Sequence, residues 1–169
     1  MKKHITLTLI ISVLLTSTVL ADGNNASYVG GSTKDKDFPG AKDKVEGSLH
    51  TGDDKLLRFD FKLNKETRSY SIPYDQFIDI EYGQKAGRRV GAAIATAVLL
   101  APVGLFLLFS KKRKHYVTIG YKDAEGKEQV AVFELSKDIA RTTLSILETR
   151  SGKKIEYQDE EAKKSGRGN

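Results

Sequence analysis

The sequence predicts an α+β fold, a small antiparallel sheet or open barrel closed by a C-terminal helix and carrying an inserted apolar helix or helical hairpin. Three observations carry this. Short runs of alternating apolar and polar residues recur between turn formers, which is the pattern of half-buried strands. One late segment, beginning at Ser136, has apolar residues at three- and four-residue spacing. Between two of the strand runs lie twenty residues, 90–109, without a charge.

The chain has 169 residues, a length that suggests one domain with targeting segments. Residues 1–21 read as a signal peptide. Lys2 and Lys3 precede a mostly apolar stretch, and Val19, Leu20 and Ala21 fit a signal-peptidase site, so cleavage would leave Asp22 first. The alternative is an uncleaved signal anchor, but the apolar core is short and Thr-rich. Export would place the protein in the periplasm or cell envelope. The sequence contains no cysteine. That excludes disulfides, thiolate metal sites, Cys nucleophiles and a lipidated cysteine.

Residues 22–42 are rich in Gly, Asn, Ser, Lys and Asp. Such a composition buries too little apolar surface to offset chain entropy and reads as a flexible linker. The tail, 158–169, reads as disordered for the same reason. The folded unit is then 43–157.

Within it, 45–49 is a short strand ended by the turn formers His50, Thr51, Gly52, Asp53 and Asp54. In 56–63, Leu57, Phe59, Phe61 and Leu63 alternate with Arg58, Asp60 and Lys62. Asn64, Lys65 and Glu66 form a turn. Segments 69–72 and 77–82 are further strands, with Pro73 marking an edge or bend between them. Segments 116–121 and 129–135 form the clearest hairpin, around residues 122–127. Ser136 is a good N-cap, and Asp138 suits the positive end of a helix. Ile139, Ala140, Thr143, Leu144 and Leu147 form that helix's apolar stripe. Gly152 ends it, and 153–157 adds a short last strand. Strands followed by one closing helix make a pleckstrin-homology-like (PH-like) arrangement, among others.

As one straight helix, 90–109 would reach about 30 Å, the thickness of the hydrocarbon layer. Pro102 and Gly104 interrupt it. Two membrane arrangements compete. A single span would leave Lys111, Lys112, Arg113 and Lys114 on the cytoplasmic side, in line with the positive-inside rule. A hairpin would dip into one leaflet and return. A span splits the strands into halves too small for secure cores, which favours the hairpin. A third arrangement buries the segment in the protein itself, without lipid. Gly83, Gly87, Gly91 and Ala95 recur every four residues, as do Ala93, Ala97 and Ala101. On a helix each row is a smooth packing stripe, for the hairpin or for a second subunit.

The 28 Lys and Arg exceed the 22 Asp and Glu. Seven of the basic residues flank the apolar segment: Lys85, Arg88, Arg89, Lys111, Lys112, Arg113 and Lys114. Without them 21 remain against 22, so the positive excess belongs to these flanks. They are the candidate contacts for anionic lipid headgroups. Nucleic acid is the other reading of a basic cluster, and export argues against it.

No catalytic constellation emerges. His50 and His115 have no ligand-spaced partner, so no metal site is expected. Asp53 and Asp54 read as a turn, and Asp159, Glu160 and Glu161 as a solvated tail. There is no Gly-x-Ser-x-Gly elbow and no glycine-rich phosphate loop. The sequence implies a non-enzyme without a cofactor. A second expectation is an oligomeric envelope protein assembled through the small-residue stripe, with a homo-oligomer or another envelope protein as partner. An unrecognised periplasmic enzyme ranks third.

Residues 80–89 (Ile-Glu-Tyr-Gly-Gln-Lys-Ala-Gly-Arg-Arg), the apolar segment and 112–121 carry a resemblance. With Phe133-Glu134-Leu135 and residues 149–154, they resemble a family of uncharacterised exported bacterial proteins of acidobacterial type, over 45–157. The order of elements is also similar to bacterial PH-like or GRAM-like domains. That similarity implies lipid or protein binding rather than catalysis and transfers no functional residue. The apolar segment departs from an ordinary domain of that kind.

Overall fold

The structure is a computed structural model and describes residues 25–32, 44–84 and 114–167. It is α+β. Eight strands form one open mixed sheet: β1 (Asn25–Gly31), β2 (Val45–His50), β3 (Leu56–Leu63), β4 (Glu66–Pro73), β5 (Phe77–Gly83), β6 (His115–Lys122), β7 (Glu128–Leu135) and β8 (Ile155–Tyr157). Two helices follow the main strands, α1 (Lys137–Ser151) and α2 (Glu160–Arg167).

The sheet order is β4-β3-β2-β1-β7-β6-β5-β8. Strands β1 to β4 form one antiparallel meander and β5 to β7 another, joined by antiparallel pairing of β1 with β7. The sequence predicts an antiparallel sheet or open barrel; the sheet is mixed, because β8 pairs parallel to β5, with Ile80 opposite Ile155. The short 3-10 turn Tyr74–Gln76 alone links β4 to β5. Laid flat, seven strands would separate these two by roughly 29 Å. A link this short reaches only about 14 Å. The sheet therefore curls strongly, leaving β4 and β8 as its two edges. The hydroxyls of Tyr70 on β4 and Tyr121 on β6 meet across the curl.

Alternation directs one face of each strand inward. Leu57, Phe59 and Phe61 of β3, Ile80 and Tyr82 of β5, Val117 and Ile119 of β6, and Ala131 and Phe133 of β7 are all buried in one core. The Phe59 ring lies 5.4 Å from that of Phe133, and Tyr28 meets Phe133 edge-on at 5.7 Å. Helix α1 closes the core with Ala140, Leu144 and Leu147. Gly152, left-handed at φ 67°, ends that helix as expected, its N–H bonding Glu148 O.

Two segments differ from the sequence expectation. The linker 22–42 contains β1, an interior strand between β2 and β7. Four of its seven residues are Ala, Ser or Gly, yet Ala26, Tyr28 and Val29 are buried and both neighbours supply backbone hydrogen bonds. Tertiary pairing outweighs composition there. The tail 158–169 contains α2. Asp159 caps it, its Oδ1 accepting the Ala162 N–H at 2.7 Å, and Ala162 is fully buried. The signal peptide, residues 33–42 of the linker and the apolar segment lie outside the described residues.

Candidate functional site at the root of the apolar segment

Strands β5 and β6 are antiparallel neighbours, with Gly83 opposite Tyr116 and Tyr82 opposite Val117. Residues 85–113 lie between them in sequence. Both ends of that stretch are therefore anchored side by side at one rim of the sheet. Around this rim the described residues gather two polar clusters.

The first centres on Glu134 of β7. Its Oε2 lies 2.9 Å from Lys114 Nζ and its Oε1 lies 3.2 Å from Lys44 Nζ. Its side chain is 15% exposed. Burial pushes the carboxyl pKa up, and the hydrogen bonds from Lys114 and Lys44 more than reverse this, so it is held below its ordinary value. Glu134 is thus a fixed anion and not a proton carrier at neutral pH. A cleft of about 380 Å³ opens beside it, lined among others by Ser27, Lys44, Glu46, Gly47 and Ser136.

The second cluster joins three elements. The Tyr82 hydroxyl hydrogen-bonds His115 Nδ1 and lies 3.2 Å from Ser165 Oγ on α2. The rings of Tyr82 and His115 stack at 6.1 Å. Burial, followed by the charge of Lys137, lowers the His115 pKa, so the ring is neutral at pH 7. Burial raises that of Tyr82, despite its hydrogen bond to Ser165. Arg141 Nε donates to Ser165 O at 3.1 Å, tying α1 to α2.

Of the seven basic residues read as headgroup contacts, Lys114 is described, and it is not a free cation: Glu134 holds it. Lys85, Arg88, Arg89, Lys111, Lys112 and Arg113 lie outside the described residues. Of the packing stripe, Gly83 is described and belongs to strand β5, not to a helix. A Cβ there would stand 1.8 Å from Gln158 Oε1. Its smallness accommodates that side chain, which corrects the helical-stripe reading at this position. Gly87, Gly91 and Ala95 lie outside the described residues.

His50 is committed elsewhere, with Nε2 3.2 Å from Asp60 Oδ2, where Arg58 also pairs. Asp53 caps the β2–β3 turn by accepting the N–H groups of Lys55 and Leu56, and these two bonds lower its pKa. Among the described residues no group of three or more His, Cys, Asp or Glu could hold a metal ion. No helix among them is long and apolar enough to cross a membrane. No family model, curated protein or solved structure matches the chain.

Sequence reasoning missed Glu134, Lys44, Tyr82 and Ser165. Glu134 was visible as the polar position in the alternation of β7. Nothing in sequence spacing connects Tyr82 to Ser165, because only the parallel pairing of β8 and the turn into α2 bring them together.

Proposed function

We propose that this protein is a non-enzymatic, membrane-associated binding or scaffold module of the cell envelope, with residues 90–109 entering lipid from one side. The observation that carries this is the pairing of Gly83 with Tyr116. A charge-free stretch of twenty residues leaves one strand and returns to its immediate neighbour. A single crossing would put β5 and β6 on opposite sides of the bilayer and break their ladder. A helical hairpin that enters one leaflet keeps it.

The basic flanks support the reading. With Lys114 committed to Glu134, Lys85, Arg88, Arg89, Lys111, Lys112 and Arg113 remain to meet anionic headgroups, at about 1 kcal/mol each near the surface. The finer fold reading is PH-like. A four-strand meander joined through β1 and β7 to a three-strand meander, with α1 over the core, supports it.

The test is flotation of the protein lacking residues 1–21 with anionic liposomes, intact and without residues 90–109. The intact protein floats and the shortened one does not. An intact protein that remains in the soluble fraction sinks the proposal.

A further inference from the structure

The outer face of the sheet carries a second apolar cluster that the core does not use. Val29 of β1, Tyr116 of β6, and Val130 and Val132 of β7 are 8, 1, 2 and 7% exposed. In β6 and β7 these positions alternate with Val117, Ala131 and Phe133, which point into the core. Ser27, Glu81 and Thr118 are buried too. The Tyr116 hydroxyl is buried and has no hydrogen-bond partner among the described residues.

The described helices do not account for this burial. Helix α1 spends Ala140, Leu144 and Leu147 on the inner core, and α2 spends Ala162 there. Their main contacts are with the 3-10 turn, β5, β8 and each other. Neither described helix has its main contacts on this face.

Three observations point to residues 90–109 as its partner. Residues 85–113 start and end beside this face, since Gly83 pairs with Tyr116 itself. Residues 90–109 carry no charge, so a helix made from them is apolar all round. Such a helix must bury every side, and lipid on one side leaves another to cover. The alanines at 93, 97 and 101 let a backbone approach closely. Residues 33–43, by contrast, hold three Lys and three Asp around a single Phe.

We propose that the outer face formed by Val29, Tyr116, Val130 and Val132 is the packing surface of residues 90–109 of the same chain. This goes beyond the membrane reading, because the contact is within the protein and exists with or without lipid.

The test places Val132→Lys in two backgrounds: the full chain, and a variant in which Asn-Gly replaces residues 85–113. With Lys114 this makes a three-residue link between Gln84 and His115, a length that antiparallel neighbours accept. In the full chain the substitution raises the unfolding constant about 10- to 100-fold, as losing a buried valine contact should. In the shortened chain the change is below about threefold, the range of an exposed site. Equal effects in both backgrounds overturn the proposal.

If the shortened chain does not fold, the absence of native cysteine permits a second measurement. Val132→Cys is combined in turn with Ala93→Cys, Ala97→Cys and Ala101→Cys, and a short bis-maleimide is applied to dilute, lipid-free protein. Cross-linking within one chain by at least one pair supports the contact. No cross-link by any pair, or a product of doubled mass, overturns it, the latter assigning the face to a second copy. Intramolecular cross-linking together with failed flotation sinks the membrane reading alone.

Discussion

Replacing Arg150 by Ala should unfasten α1 from the rim of the sheet. The guanidinium sits at the end of α1 and is 23% exposed. One of its nitrogens, Nη1, donates to the carbonyls of both Thr51 and Asp53 in the β2–β3 turn, and Nη2 lies 2.8 Å from Asp54 Oδ1. The same group lies over the Tyr74 ring, 5.7 Å from its centroid. Asp54 is 91% exposed, so that ion pair contributes little, about 0–1 kcal/mol. The carbonyl contacts matter more, because hydrogen bonds from a charged donor contribute about 1.5–3 kcal/mol each when shielded. They share one nitrogen and are partly solvated, so they are not additive. With about 0.5–1 kcal/mol from the ring contact, Arg150→Ala is expected to cost about 2–4 kcal/mol. Urea denaturation followed by circular dichroism measures this, with Asp54→Asn as a control expected to change stability by less than about 0.5 kcal/mol. Arg150→Lys keeps the charge but loses the fork, and should recover less than half of the loss. The reasoning is refuted if Arg150→Ala falls within about 0.5 kcal/mol of wild type, or if Asp54→Asn costs as much as Arg150→Ala.

The other predictions concern the rim clusters. The folded His115 pKa lies below the unfolded value of about 6.5, so the unfolded chain binds the proton more readily. Stability should fall as pH drops from about 6.5 through the lower folded value, and His115→Gln should flatten that slope in urea midpoints taken between pH 7.5 and 5. Glu134 has the opposite charge type: its lowered pKa gives stability present above the unfolded carboxyl value and lost as pH falls through the folded one. Glu134→Gln should remove that acid-side loss while lowering stability at pH 7, by about 1–3 kcal/mol in a thermal melt. Gly166→Ala should destabilise even though alanine is the better helix former by about 1 kcal/mol. The new Cβ would stand 2.6 Å from the Tyr157 ring and 3.1 Å from the Tyr82 ring, an overpacking worth about 1–3 kcal/mol. A rise in melting temperature would contradict the packing of α2 against β5 and β8.

What the sequence revealed follows from where the signal was local. Alternation in 56–63 and in the hairpin strands is a period-two pattern imposed by one buried face, and those strands stand where the pattern puts them. The spacing of Ala140, Leu144 and Leu147 fixes the buried face of α1 in the same way. β1 was illegible because an interior strand needs only small residues and two partners, and β7, one of those partners, lies about a hundred residues away. A local cue did exist in adjacent Tyr28 and Val29, an aromatic beside a β-branched residue. Helix α2 left a clearer trace that a composition reading discards. Asp159 stands ahead of Glu160 and Glu161, with Lys163, Lys164 and Arg167 later, the charge order a helix dipole favours. At the candidate site, the basic flanks were visible as charge, but the capture of Lys114 by Glu134 depends on the β6–β7 register, which places Tyr116 opposite Glu134.

The joining of β1 to β7 also governs the order in which the chain can complete itself. As the polypeptide lengthens, residues 25–73 can pair as a meander, yet Phe59 lacks its ring contact with Phe133 until β7 arrives. One side of β1 stays unpaired until residues 131–135 exist. The remaining gap over the core closes only with Leu144 and Leu147. Contacts this distant in sequence make for slow, all-or-none acquisition of structure. A chain truncated before β7 would present its aromatic residues to any binding partner able to hold an unfolded segment.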